Sequence, residues 1–166
     1  MILVRQEEAG LDRAILTFPG SIPALRFDEI DLSLLQKARH LHLASFFLLD
    51  ALRPHTHELF RAAHQVGMTV SLDTNYDPQE RWDGGLKETL AETDVFLPNQ
   101  VELQSIAAIS DLDLALEQVS TRIPVTAVKL GKDGALARAG STVVRVQATA
   151  VDAVDIWRPE FAVRQN

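Results

Sequence analysis

Short apolar segments alternate with amphipathic stretches along the middle of the chain. The apolar segments have the length of strands that are covered on both faces, and the stretches between them repeat apolar residues at helical spacing. Alternation of this kind predicts βαβ units and a mainly parallel sheet, and the closing run of strands predicts an antiparallel edge. The predicted strands are 41–49, 68–72, 95–97, 125–130, 135–138 and 142–146, and the predicted helices are 31–39, 54–66, 86–91, 100–108 and 111–120.

Local signals place the ends of several elements. Pro54 suits the first turn of the second helix and Gly67 suits the position after its end. Ser110 is the predicted N-cap of the last helix. At the start of the chain, 1–4 and 14–18 predict a hairpin, and at its end 151–166 has no clear periodicity and is expected to be irregular.

Composition narrows the class of protein. The chain has 166 residues, 46% of them hydrophobic and 23% charged, which is typical of one globular domain. No apolar run approaches the roughly 20 residues that span a bilayer, and the acidic start does not resemble a signal peptide, so we expect a cytoplasmic protein without a membrane partner. Without cysteine there is no disulfide or thiolate site. The net charge of −7 argues against nucleic acid as a partner, but it does not exclude ATP.

Polar residues follow three of the predicted strands. Asp73 comes directly after one strand, Asn99 follows the next, and the segment 129–131 ends a third. In parallel α/β sheets, ligands bind outside the carboxyl ends of the strands. The sequence therefore predicts a site at this edge of the sheet.

Two of these segments each allow a local and a functional interpretation. Asn99 followed by Glu102 is a capping-box pattern at a helix start. Alternatively, Asn99 faces the phosphates of ATP while Glu102 organises Mg²⁺ through water, because Mg²⁺ needs only one or two carboxylates. Asp73 and Asn75 either terminate a strand in a turn, or Asn75 donates to a phosphoryl oxygen while Asp73 holds a metal-bound water.

The segment 129–134 also has two interpretations. Asp133 and Gly134 form a turn signal that requires positive φ. Alternatively, Gly131 and Gly134 allow the backbone to approach a nucleotide closely beside Lys129. The spacing of a P-loop is absent, so this is not that kind of phosphate site.

Three other chemistries find little support in the sequence. The pairs His40/His42 and His55/His57 lack an evident third ligand for zinc, although the first pair would share a face of a strand. No G-x-S-x-G elbow supports acyl transfer, and no G-x-G-x-x-G after an early strand supports a dinucleotide-binding Rossmann domain.

Taken together, three segments resemble the C-terminal half of a ribokinase-like (PfkB-family) sugar kinase. Residues 71–75 (SLDTN) resemble its D-x-N segment, with Trp82 a short distance on. Residues 98–102 (PNQVE) resemble its N-x-x-E motif, and 128–135 (VKLGKDGA) resemble its nucleotide-side K-x-G-x-x-G segment. The resemblance spans roughly 1–150, and 151–166 is unlike the family.

The resemblance implies a three-layer α/β/α sandwich that transfers the γ-phosphoryl group of ATP to a sugar or related alcohol. It implies that ATP and Mg²⁺ are held by residues of the three segments, with Glu102 on the metal side. Homo-oligomerisation stays open. The implied cofactor-binding residues are Asp73, Asn75, Asn99, Glu102, Lys129, Gly131 and Gly134.

The sequence departs from the family pattern at both ends. The family's N-terminal Gly-Gly sugar-binding motif and lid strands are not found, nor is its Gly-Ala-Gly-Asp segment with the catalytic base. Asp152 and Asp155 lie where that segment is expected but lack flanking glycines. We therefore expect this chain to lack the sugar-binding region and the base. The alternative is a non-catalytic nucleotide-binding or partner-binding fragment of the same fold.

Overall fold

The computed structural model describes residues 18–149. None of the helices in this range is long and apolar enough to cross a bilayer. The strands are β1 (His40–Ala44), β2 (Thr69–Asp73), β3 (Val95–Phe96), β4 (Val125–Lys129), β5 (Ala135–Ala139) and β6 (Thr142–Val146). The α-helices are α1 (Thr56–Gln65), α2 (Leu86–Ala91), α3 (Gln100–Ala107) and α4 (Leu112–Val119). Short 3₁₀ segments are Ile22–Ala24, Phe27–Glu29, Leu32–Lys37, Phe46–Leu48, Arg53–His55 and Gly131–Asp133.

The six strands form one sheet in the order in which they occur along the chain. The pairs among β1, β2, β3 and β4 are parallel, and β5 and β6 add to β4 as an antiparallel edge. This topology confirms the predicted α/β class, with its mainly parallel sheet and antiparallel edge.

The α-helices lie on one face of the sheet. Crossovers between parallel strands are right-handed as a rule, and the three crossovers from β1 to β4 advance across the sheet in the same direction, so this rule places their helices on one face. Alternate strand residues on that face join helical residues in a single apolar core. Residues 18–149 thus supply the sheet and one helical layer of the predicted three-layer sandwich. Core members from strands and helices include Leu43, Leu72, Phe96, Val128, Leu136, Phe60, Leu103 and Leu116.

The predicted strand 41–49 is too long. The strand ends at Ala44 because Ser45 takes up the left-handed conformation (φ 63°) and a 3₁₀ turn follows. Phe46 and Phe47 are apolar because they are buried in the core from this turn. The predicted amphipathic helix 31–39 is also wrong in kind, since it is a 3₁₀ helix in which only Leu35 is buried.

The ends of two helices test the capping predictions. The segment 54–66 begins as a 3₁₀ turn and becomes α1 at Thr56. Gly67 (φ 81°) lies after its end as predicted, where its N–H donates to the carbonyl of His64 at 2.9 Å. The prediction of Ser110 as the N-cap of α4 is wrong, because Asp111 takes this position and accepts from the N–H of Leu114 at 2.9 Å.

The remaining strands and helices agree with the predicted ranges to within one or two residues at each end. The predicted hairpin of 1–4 and 14–18 and the irregular segment 151–166 fall almost entirely outside the described residues. The division of the chain at residue 150 therefore stays a prediction.

Candidate nucleotide site at the carboxyl edge of the sheet

The carboxyl ends of β2 and β4 and the start of α3 meet at one edge of the sheet. Asp73 is the last residue of β2, and Lys129 is the last residue of β4. Asn99 is the N-cap of α3 and forms a parallel bridge with Lys129, whose N–H donates to the carbonyl of Pro98 at 2.9 Å. The structure therefore brings together the three strand ends that the sequence predicts to meet.

An ion pair links two of these strand ends directly. Nζ of Lys129 lies 2.6 Å from Oδ2 of Asp73, so the contact reaches across the position of β3. Both residues alternate with buried core residues, Val128 and Leu72, so their side chains lie on the sheet face opposite the α-helices. The side chain of Lys129 is 52% exposed and that of Asp73 is 21% exposed.

Asn99 and Glu102 form the predicted capping box. The N–H of Glu102 donates to Oδ1 of Asn99 at 2.9 Å, and the N–H of Asn99 donates to Oε2 of Glu102 at 2.8 Å. Nδ2 of Asn99 also donates to Oε1 of Glu102 at 2.7 Å. Each carboxylate oxygen of Glu102 therefore accepts one bond from Asn99, and Glu102 is 3% exposed.

The environment of Glu102 disfavours its charge. Burial is the main effect that raises the pKa of Glu102, and the nearby carboxylate of Asp73 raises it further. The backbone N–H of Asn99 and the ammonium of Lys129 act in the opposite direction without cancelling the shift. Glu102 therefore lies close enough to Asp73 and Lys129 for their charges to affect its ionisation.

Asn75 lies at the same edge but on the side of β1. Its Nδ2 donates to Oγ of Ser45 at 2.8 Å, and its N–H donates to Oδ1 of Asp73 at a longer 3.3 Å. Asn75 (φ 56°) and Ser45 (φ 63°) both have left-handed backbones, a conformation that costs energy in a residue with a side chain. The structure thus uses the Asn75 amide to join the turns after β1 and β2, and its predicted contact with phosphate stays a prediction.

The two glycines between β4 and β5 have different surroundings. Gly131 (φ 59°) would place an added Cβ in open space, with no atom within 4 Å. Gly134 (φ 91°) would place an added Cβ 1.9 Å from the carbonyl oxygen of Val146. Both glycines fit the turn interpretation, and only Gly131 leaves the backbone open to close approach by a ligand.

One buried carboxylate was missed by sequence reasoning. Asp77 is 2% exposed and accepts backbone N–H groups from Gln79 at 2.9 Å, Arg81 at 2.9 Å and Trp82 at 2.8 Å. Burial alone would raise the pKa of Asp77, but the three backbone bonds together outweigh it, so the pKa lies below its ordinary value. An Asp directly before Pro78 is a turn-initiation signal that could have found this residue.

The segment that Asp77 organises also fixes Trp82. The Trp82 ring packs edge-on against Phe47 and Tyr76, with centroid distances of 5.4 and 5.3 Å. The Trp82 ring therefore serves to pack this segment against neighbouring aromatic side chains. A cavity of about 520 Å³ beside Trp82, with Leu86, Leu90, Ile106 and Ile123 also in its wall, contains none of the predicted site residues.

The histidines of β1 lie on the same sheet face as Asp73. Nδ1 of His42 and Nε2 of His40 lie 2.7 and 2.8 Å from Oγ of Ser71, and Nδ1 of His40 lies 2.7 Å from Oγ1 of Thr69. Within residues 18–149, no three His, Cys, Asp or Glu side chains are grouped as ligands for a metal ion. The two imidazoles therefore bond to hydroxyls of the neighbouring strand.

The donors at this edge fit a nucleotide with Mg²⁺ rather than a transition metal. Asp73 and Glu102 offer the hard carboxylate oxygens that Mg²⁺ prefers, and Mg²⁺ retains most of its waters. Glu102 is buried and bonded to Asn99 through both oxygens, so it suits contact through water. The half-exposed ammonium of Lys129 is chemically suited to pair with phosphate, and no atom of the chain lies within 4 Å of a Cβ placed at Gly131.

Comparisons with known proteins agree with these features. The family model described as pfkB family carbohydrate kinase matches residues 3–156. An uncharacterized sugar kinase of Archaeoglobus fulgidus is 31% identical over 152 residues, which cover 90% of this chain and 58% of that protein. The chain therefore spans less than two thirds of the length of this curated relative.

Solved structures show the same fold. Adenosine kinase from Sinorhizobium meliloti superposes with a TM-score of 0.68 at 19% identity, covering 78% of this chain and 41% of that chain. Fructokinase from Vibrio cholerae O395, in a form with fructose, ADP and calcium ion bound, superposes with a TM-score of 0.60 at 26% identity, covering 68% and 39%. These likenesses confirm the predicted ribokinase-like fold. With the family match over most of its length, the chain belongs to the pfkB family of carbohydrate kinases.

Proposed function

We propose that this chain forms the nucleotide side of an ATP-dependent sugar kinase, which transfers the γ-phosphoryl group of ATP to a hydroxyl of a sugar or related alcohol. The observation that carries the proposal is the convergence of Asp73, Lys129 and the Asn99–Glu102 pair at one edge of the sheet in a member of this family. Phosphoryl transfer depends mainly on positioning and on stabilising charge, and this edge supplies both charged and hydrogen-bonding groups.

Each residue has a role that follows from its surroundings. Lys129 binds phosphate oxygens through its half-exposed ammonium, and the turn at Gly131 admits the nucleotide close to the backbone. Asn99 and Glu102 form a rigid pair, so the buried carboxylate holds a fixed position toward metal-bound water. When bound, Mg²⁺ would supply positive charge that neutralises the phosphate oxygens.

Asp73, Asn75 and Gly134 complete the proposed set. Asp73 provides the second carboxylate of the edge, and Asn75 donates to a phosphoryl oxygen after exchanging its bond with Ser45. Gly134 acts through its backbone, because it lets the strand after the nucleotide-side turn pass close to β6. The fructokinase structure, whose bound fructose, ADP and calcium ion are a sugar, a nucleotide and a divalent cation, supports this combination of ligand classes. We place the kinase in the cytoplasm, where its co-substrate ATP is made available.

A second candidate is nucleotide binding without catalysis, or binding of a partner protein. The chain covers 58% of its curated relative and 39–41% of the two kinases compared above. Both candidates share the nucleotide site and differ in turnover.

Calorimetric titration of the 166-residue chain with ADP and ATP, with and without Mg²⁺, tests the shared site. A coupled assay over a broad panel of sugars, run beside a version extended with the family's N-terminal half and Gly-Ala-Gly-Asp segment, separates the two candidates. Nucleotide binding with turnover only in the extended version supports the kinase proposal. Absence of nucleotide binding in both versions would refute it.

A further inference from the structure

Both carboxylate oxygens of Asp73 accept hydrogen bonds from within the chain itself. Oδ2 accepts from Nζ of Lys129 at 2.6 Å, and Oδ1 accepts the longer bond from the N–H of Asn75 at 3.3 Å. Under the proposed function, Asp73 is one of the carboxylates available to a divalent cation. A cation of the protein already occupies that carboxylate.

We propose that Lys129 is an internal counter-ion that competes with the divalent cation for Asp73 and is drawn away by nucleotide phosphate. This inference rests on the proposed function of the edge as a nucleotide–Mg²⁺ site. It makes Lys129 a positioning residue whose ammonium has two alternative partners, the carboxylate in the empty site and phosphate in the loaded site.

Backbone bonds hold the main chain of Lys129 in place, whereas its ammonium is half-exposed and bonded only to Asp73 among the described residues. Its N–H is bonded to Pro98, it bridges to Asn99, and it pairs with Ala135 of the antiparallel edge. Its side chain is half-exposed at the end of a flexible four-carbon stem. Ion pairs with this degree of exposure contribute little to stability, so one anion can replace another at small cost.

The charges around Asp73 and Lys129 favour replacement of the ammonium by another cation over removal of the ammonium alone. The carboxylate of Asp73 raises the pKa of Glu102, and the ammonium of Lys129, bonded to Asp73 at 2.6 Å, lowers it. Removal of the Lys129 ammonium alone would leave the negative charges of Asp73 and Glu102 with less neighbouring positive charge. Replacement of the ammonium by a divalent cation restores that positive charge, and the released ammonium is then available to phosphate.

This arrangement couples the two ligands. Phosphate stabilises the state in which Lys129 has left Asp73, and that same state binds the cation more tightly. Coupling between two ligands is reciprocal, so the cation must raise nucleotide affinity by the same factor. If the Lys129–Asp73 ion pair only held β2 and β4 together, no such coupling would be expected, because loss of the ion pair would lower the affinity for both ligands.

The test compares Lys129→Met with Lys132→Met in the full 166-residue chain. Lys132 lies in the same turn and makes no ion pair within the described residues, so its substitution controls for the loss of one positive charge. Mn²⁺ serves as a probe of the oxygen-ligand site and is measured by electron paramagnetic resonance at constant ionic strength. Thermal unfolding verifies that each variant is folded.

Without nucleotide, Lys129→Met should bind Mn²⁺ about five- to tenfold more tightly than the parent, at the lower end of typical coupling between ligands. Lys132→Met should change Mn²⁺ affinity by less than about twofold, since the exposed charge of Lys132 makes no ion pair with Asp73 and is screened by salt. In an Asp73→Asn background, Lys129→Met should no longer improve Mn²⁺ binding. Equal effects of the two lysine variants, or weaker Mn²⁺ binding by Lys129→Met, would overturn the proposal.

The nucleotide arm separates this inference from the proposed function. ADP binding without metal should weaken in Lys129→Met, so the same variant shifts Mn²⁺ and ADP affinity in opposite directions. If the Mn²⁺ pattern appears but no variant binds ADP, competition at Asp73 is supported and the proposed function is refuted. If the parent binds ADP and Mn²⁺ but Lys129→Met weakens both, the proposed function stands and the competition fails.

Discussion

Replacement of Gly134 by alanine should destabilise the protein far more than the same change at Gly131. The new Cβ at Gly134 would lie 1.9 Å from the Val146 carbonyl oxygen and 2.7 Å from the backbone nitrogen of Ala148. Both neighbours are backbone atoms, so no side-chain rotation relieves the clash, and the end of β6 must move. Gly131 also has positive φ, but nothing lies within 4 Å of its Cβ position.

The magnitude follows from adding backbone strain to lost strand pairing. Positive φ costs a residue with a Cβ about 1–2 kcal/mol, and we apply this cost to both variants, although Gly134 (φ 91°, ψ −129°) lies outside the left-handed helical region. At Gly134, displacement of Val146 from its partner Ala135 also removes about two ladder hydrogen bonds, each contributing roughly 0.5–1.5 kcal/mol. We therefore expect a loss of about 2–5 kcal/mol for Gly134→Ala and about 1–2 kcal/mol for Gly131→Ala.

Urea unfolding followed by far-UV circular dichroism measures this difference. For two-state unfolding with an unchanged m-value, the shift in midpoint converts directly to a change in the free energy of unfolding. The additional 1–3 kcal/mol at Gly134 corresponds to roughly 2–12 °C in melting temperature for a domain of this size. If the two variants agree within about 0.5 kcal/mol, the contact between the turn and β6 does not constrain the fold as described.

Three further predictions concern acid stability and the site. Thermal melting from pH 7 to pH 2 should show that Asp77→Asn is less stable than the parent at neutral pH but nearly as stable at strongly acidic pH. The pKa of Asp77 is lower in the folded state than in the unfolded state. Its carboxylate therefore stabilises the fold above the unfolded pKa of about 3.9, and this contribution is lost as the pH falls through the folded pKa. Glu102→Gln should reduce nucleotide affinity more with Mg²⁺ than without it, and equal losses in calorimetry would favour capping alone. Asn99 donates to both oxygens of Glu102, and Gln has only one acceptor oxygen, so the free energy of unfolding should also fall by about 0.5–1.5 kcal/mol. The 166-residue chain alone should show no useful turnover on a sugar panel, because a missing preorganised donor can cost about 10²–10³ in rate; robust ATP-dependent phosphorylation would contradict this expectation.

The sequence predicted correctly those helices and strands that have both a periodic pattern of apolar residues and a residue that marks the end of the element. Helix α2 and strand β6 combine periodicity with nearby glycines, and their observed ranges match the predicted ones. The run 41–49 lacked such a signal. A run of apolar residues is equally compatible with a buried strand and with a buried turn. The left-handed conformation of Ser45, which ends the strand, depends on tertiary contacts rather than on residue type.

The sequence predicted where the candidate site lies, but it did not predict the long-range bond between its side chains. Strand ends placed Asp73, Asn99 and Lys129 at one edge, because parallel strands end together. The sequence spacing of Asn99 and Glu102 also predicted their local hydrogen bonds, since a capping box spans only three residues. The bond from Lys129 to Asp73 joins residues 56 positions apart and depends on side-chain rotamers, which periodicity does not specify.

The consecutive order of the six strands has a consequence for how the protein reaches its fold. Each strand pairs with the next strand in the chain, and paired residues are separated by no more than about 30 positions. Loop closure costs grow slowly with length, so no single pairing requires a distant segment to wait for its partner. During synthesis, each emerging strand can add to an edge that the preceding strand has already formed. The edge that carries the proposed nucleotide site is then completed only when β4 docks, so under that proposal ligand binding is a late event in folding.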